Sequence, residues 1–152
     1  MQMKAFSSSR SASRGVSLIE VLVSVLILGI GLLGIAAMQA LALGNSQSSV
    51  ERTQAVIHSY SILDAMRANP DAARAGTYTI GMTCAVPAAG NLVANDRRAW
   101  IATLQQNLGV TACGQIACAG ALCTVTVRWD DSRGTASVAN PTQHTFTTTA
   151  RI

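Results

Sequence analysis

The stretch from Arg14 to Gln39, RGVSLIEVLVSVLILGIGLLGIAAMQ, limits what this chain can fold into more than any other feature. It opens on a basic residue and a glycine and then becomes almost continuously apolar. As a helix, the run is long enough to cross a hydrocarbon layer of about 30 Å. One carboxylate, Glu20, lies inside it. A charge at the centre of a membrane helix costs roughly 2.5 to 3.5 kcal/mol on insertion scales. Glu20 sits near the start of the run, where the cost is lower, yet it still calls for a partner. Ser17 and Ser24 can bond back to their own helix. A secretory signal is a rival reading, because Ala40-Leu41-Ala42 has the A-x-A form. The apolar region is much longer than the roughly 7 to 15 residues of a signal core, and it contains a glutamate. A plain membrane anchor with a tolerated glutamate is the other rival.

Read in order, a basic leader, then Gly15, Val16 and Glu20, resembles the amino-terminal signal of type IV pilins. The resemblance implies a prepilin peptidase that cuts between Gly15 and Val16 and methylates the new amine of Val16. The chain departs from the family at Val16, where the family usually has phenylalanine. It departs again after the apolar run, where a frequent helix-breaking proline is replaced by Ala36 and Ala37. Cleavage would supply Glu20 with its partner. Val16 and Glu20 stand at i and i+4, so ammonium and carboxylate share a helix face. In the family, a glutamate here is thought to attract the amine of a neighbouring subunit and so set the axial stagger.

Composition gains meaning once the leader is set aside. The formal charge of +4 includes Lys4, Arg10 and Arg14; without residues 1–15, eight basic and seven acidic side chains remain. A nucleic-acid-binding reading thereby loses its main support. The leader charges fit instead a cytoplasmic amino terminus by the positive-inside rule. Cys84, Cys113, Cys118 and Cys123 all lie beyond the apolar run, on the side that this rule exports. An even count there favours two disulfides. A zinc site is disfavoured, since the C-x4-C-x4-C spacing lacks paired knuckles and neither His58 nor His144 is near it. Three pairings are open; Cys118 with Cys123 would bridge a short loop and leave Cys84 with Cys113.

Residues 1–14 are expected to form no element. Helix is expected from Val16 to Ala68, near 80 Å at 1.5 Å per residue, with Gly29, Gly31 and Gly34 permitting close approach of other helices. No proline interrupts it before Asn69-Pro70, which ends it. Val50, Ile57, Tyr60, Leu63 and Met66 are expected to form its inward stripe, with Glu51, Arg52, Gln54 and His58 largely elsewhere. Thr77–Met82 alternates as a short strand. Asn95-Asp96 offers an N-cap for a short helix bearing Trp100, Leu104 and Leu108 and closed by Gly109. Cys113–Leu122 reads as a glycine- and alanine-rich loop. Thr124–Trp129 is the clearest strand, with Val125, Val127 and Trp129 on one face. Asp130 to Gly134 is turn chemistry, and a metal site at Asp130-Asp131 is a minor alternative. Thr135–Val138 returns as a strand, Asn140-Pro141 turns, and Thr145–Ile152 alternates again.

The fold expected is α+β, a long amino-terminal helix packed on a small antiparallel sheet. No GxSxG, Walker A, HExxH or paired CxxC motif occurs. This points away from an enzyme and from a metal or other cofactor. Two further segments, SILDAMRANPDAARAGTY and VTVRWDDSRG, are similar to the PilV class of minor pilins. That resemblance implies a leader at 1–15, a membrane and assembly half-helix at 16–43, and a periplasmic domain at 44–152. It implies residence in the inner membrane and then in the pilus. Its partners would be the prepilin peptidase, other minor pilins, the major pilin and a tip adhesin. A type II secretion pseudopilin and a membrane-anchored periplasmic binding or enzyme domain are the alternatives.

Overall fold

The structure, a computed structural model, describes residue 15, residues 17–131 and residues 143–152. The expected leader, Val16, the strand at Thr135–Val138 and the Asn140-Pro141 turn lie outside the described residues. In chain order the elements are α1 (Leu18–Ala68), α2 (Pro70–Arg74), β1 (Ile80–Thr83), α3 (Leu92–Leu108), β2 (Cys113–Ala119), β3 (Leu122–Asp130) and β4 (Gln143–Arg151). The strands form one antiparallel sheet in the order β1-β2-β3-β4. The architecture is α+β, as expected from the sequence. The chain divides into two compact units, residues up to Gln39 and residues from Ala40.

In the first unit the described residues from Leu18 on form the apolar half of α1. Ser17 starts the helix, its carbonyl accepting the amides of Glu20 (3.0 Å) and Val21 (3.3 Å). Every large apolar residue from Leu18 to Leu43 is exposed. Gly29, Gly31 and Gly34 have open space where a Cβ would stand.

The second unit has a core. Ile62, Leu63 and Met66 of α1 join Trp100, Ile101, Leu104 and Leu108 of α3 and Ile116, Val125, Val127 and Trp129 of the sheet. Here α1 buries Ser48, Glu51, Ala55, Ser59, Ile62, Leu63 and Met66. The expected inward stripe therefore holds at two of its five positions: Leu63 and Met66 are buried, but Val50, Ile57 and Tyr60 are 55%, 51% and 49% exposed, and Glu51, expected elsewhere, is buried. The reason is rotational drift. Each step of three residues falls about 60° short of a full turn, so a chain of such steps winds off the face it began on. The true inward face carries small residues, Ala55 and Ser59, where neighbours come close. The Ser59 hydroxyl is satisfied by donating to the Ala55 carbonyl at 2.8 Å. The Trp100 indole N–H donates to the His58 carbonyl at 3.0 Å and ties α3 to α1.

Asn69-Pro70 ends α1, and Pro70 then opens α2 at a position that needs no amide donor. The first strand begins later than expected, at Ile80. Tyr78 is drawn into the core instead, and its hydroxyl donates to Asp96 Oδ2 at 2.6 Å. The cap of α3 is Asn91, four residues before the expected one, with its side-chain oxygen accepting the Ala94 amide at 3.0 Å. Starting there lets Val93 bury in the first turn. Asn95 clasps the Gly90 backbone through both its amide groups. Gly109 closes α3 at φ 100°, as expected.

The expected loop at Cys113–Leu122 is a strand and a turn. β2 pairs with β3 from Cys113↔Arg128 to Ala119↔Leu122, and Gly120 turns the chain at φ 58°. A glycine at the first position of a two-residue hairpin suits a type II′ turn. Gly114 lets α3 settle on the sheet: a Cβ there would lie 2.5 Å from Trp100. Disulfides join Cys84 to Cys113 and Cys118 to Cys123.

Candidate processing and assembly segment

Gly15 is exposed, with open space where a Cβ would stand. Two residues on, Ser17 begins α1. Glu20 lies exposed in the first turn, where the unsatisfied backbone amides of a helix start favour a negative charge. Ser24 Oγ donates to the Glu20 carbonyl at 2.7 Å, so this hydroxyl is satisfied within the helix. Past Glu20 the surface is apolar on all sides, with exposures from 46% at Val23 to 74% at Leu33. Among the described residues, α1 is the one helix long and apolar enough to cross a membrane, with a mean hydropathy of 2.7 over its most apolar window. Removing apolar surface from water stabilises by about 25 cal/mol per Å². A helix bare all round therefore has a strong drive toward lipid or toward other helices. The segment joins an accessible Gly15, a helix that starts at once, a carboxylate in its first turn and an apolar surface with no internal cover. Such a segment offers its surface to lipid or to other helices.

The other sequence candidates lie apart from it. The four cysteines are spent in disulfides of the second unit. His58 is half-buried, and burial holds its ring below the usual histidine value of 6.5. Among the described residues, no group of three or more His, Cys, Asp or Glu side chains is placed to hold a metal ion.

A polar seam escaped sequence reasoning. Asp131, just past β3, is buried, and Ser48 of α1 donates to its Oδ2 at 2.6 Å. His144 Nε2 lies 3.2 Å from the same oxygen, and Arg52 reaches His144 Nδ1 at 3.4 Å. These contacts run Arg52 to His144 to Asp131 and tie α1 to β3 and β4. In this order the imidazole Nε2–H donates to Asp131 while Nδ1 accepts from Arg52. The serine bonds the carboxylate and not the imidazole, so no activated nucleophile results. Ser48 and Asp131 are 83 residues apart, and no local pattern announces such a pair.

Residues 10–36 match the family model of the prokaryotic N-terminal methylation motif. No curated protein and no solved structure matches the chain. The matched motif supports a member of the type IV pilin and pseudopilin class, and the α+β architecture is pilin-like. The motif implies processing by a prepilin peptidase and assembly with other pilins. Together with the long apolar helix, it fits a membrane-anchored pilin that is later assembled into a pilus.

Proposed function

We propose that the chain is a minor pilin of a type IV pilus, of the kind that initiates assembly and stays at or near the fibre tip. The observation that carries this reading is the methylation motif over residues 10–36, running straight into a helix whose apolar surface is bare on every side. Cleavage after Gly15 leaves a methylated Val16. The half-helix 16–43 waits in the inner membrane, with residues 44–152 in the periplasm, and then bundles with other minor pilins and the major pilin. Glu20 meets a neighbour's amine and sets the register. A tip adhesin is a further partner. The role is structural, and the segments SILDAMRANPDAARAGTY and VTVRWDDSRG support the PilV class within it.

The test is the intact mass and amino-terminal peptide of the protein from its native envelope. The expected start is N-methylated Val16. An intact leader, or a start at Leu43, overturns the reading. Loss of surface fibres in cells lacking the protein then separates a pilus from a secretion system. Glu20→Ala is expected to spare membrane insertion and cleavage and to impair incorporation into fibres. Normal piliation by that variant would remove the role given to Glu20.

A further inference from the structure

The two edges of the sheet differ. β1 has four residues and an irregular register against β2, which blunts it as a template. β4 has nine residues in unbroken register with β3, and no described strand lies beyond it. Natural edges of that length are protected by lysine, proline, bulges or a covering element. The β4 sequence, QHTFTTTAR, has no proline or lysine, and its one permanent charge is Arg151 at the end.

The register tells which main-chain groups of β4 face outward. Ile152 donates its amide to Ala121 at 2.8 Å, so position 152 points toward β3. In an antiparallel ladder this alternates. Ala150, Thr148, Phe146 and His144 therefore bond β3, whereas Thr149, Thr147, Thr145 and Gln143 turn their N–H and C=O groups to the open edge. A pocket of about 140 Å³ opens beside that edge, between α1 and β4. Val56, Phe146 and Trp129 give it apolar walls, and Arg52 and His144 give it a basic rim. Thr145 also lines it, although its side chain is on the opposite face of the strand, so the open-edge main chain borders the pocket. A volume of this order holds a four- to six-carbon group. Arg52 is exposed, and its described side-chain bond is to an imidazole rather than a carboxylate.

We propose that β4 accepts an extended segment of a partner protein as a fifth strand, with one aliphatic side chain of that segment in the Val56–Phe146 pocket and a carboxylate two residues away on Arg52. Main-chain bonds to Thr145, Thr147 and Thr149 supply affinity, and the pocket and Arg52 supply selectivity, as in strand addition generally. The inference is independent of the amino-terminal processing segment.

The test uses the full chain in detergent micelles and a synthetic peptide of β4's length, nine residues. The peptide alternates threonine and valine, with one central leucine and an aspartate two positions from it. Amide hydrogen exchange is followed residue by residue. The peptide is expected to slow exchange at Thr145, Thr147 and Thr149 together, while the Phe146 and Thr148 amides, already bonded to β3, stay as they were. Thr147→Pro removes an outward donor without touching the β3 ladder, and proline is tolerated at such an edge position. It is expected to weaken the peptide about tenfold. Val56→Phe fills the pocket and is expected to do the same, so the proposal stays testable if the proline variant misfolds. Unchanged exchange at the outward amides, or equal binding by Val56→Phe, overturns it. Protection that grows with protein concentration and needs no peptide also overturns it, in favour of self-pairing.

Discussion

Gly114 is the residue on which the fit of α3 against the sheet turns. An added Cβ would lie 2.5 and 2.7 Å from the Trp100 ring and 2.8 Å from Ile101. The ring is fixed by its bond to the His58 carbonyl and cannot swing away cheaply. Gly114→Ala is expected to cost about 1 to 3 kcal/mol, the usual range for overpacking, read as a lower urea midpoint by tryptophan fluorescence. Tyr78 sets a pH limit. Burial, reinforced by its bond to Asp96 and opposed by one to Asn69, pushes the phenol from 10.0 up to about 12. A proton held more tightly in the folded state stabilises it below pH 10, and that contribution is lost as pH rises from 10 toward about 12. Unfolding free energy should therefore fall across this window. Tyr78→Phe should flatten the slope, and the phenolate absorbance of Tyr78 should emerge only near its upper end.

At the scale of elements, the two disulfides do unequal work. Cys84–Cys113 closes a separation of 29 residues and holds the segment after β1 to the start of β2. Cys118–Cys123 closes a separation of 5 across a hairpin already laced by the β2–β3 register. The chain-entropy account gives about 3.5 kcal/mol for the first and about 2 kcal/mol for the second. Replacing the Cys84 and Cys113 pair by alanine should therefore lower the denaturation midpoint more than replacing the other pair. The elements also differ in how plainly the sequence announces them. α1 is legible because its apolar run is long and Asn69-Pro70 stops it, and β3 because Val125, Val127 and Trp129 alternate with polar residues. β2 is hidden, since Gly114, Ala117 and Ala119 give no alternation to read. The inward face of α1 is hidden for a related reason: Ser48, Ala55 and Ser59 are chosen for closeness of packing, not for hydrophobicity. The cap of α3 is ambiguous because Asn91 and Asn95 are both good caps, and only the burial of Val93 separates them. In the candidate segment, Gly15 and Glu20 are marked by their place around the apolar run, whereas the Ser48–Asp131–His144 seam depends on tertiary pairing.

The whole molecule joins two kinds of surface in one chain. From Leu18 to Gln39 the large apolar residues are bare, and from Ala40 onward the described chain encloses a core of its own. The second part draws on elements far apart in sequence, so its covalent links must close correctly. Cys118 stands five residues from Cys113 and five from Cys123, and loop length alone is indifferent between them. The turn at Gly120 is not. Along an extended strand Cys113 and Cys118 are roughly 16 Å apart, beyond the reach of about 7 Å that a disulfide allows, whereas the hairpin sets Cys118 opposite Cys123 at 4.1 Å between Cα atoms. Gly120→Val, which disfavours the positive φ by about 1 to 2 kcal/mol, should raise the share of Cys113–Cys118 links during oxidative refolding, counted by peptide mapping. A single backbone angle thus acts as the proofreader of the chain's wiring, deciding which of two equally near thiols becomes a permanent neighbour.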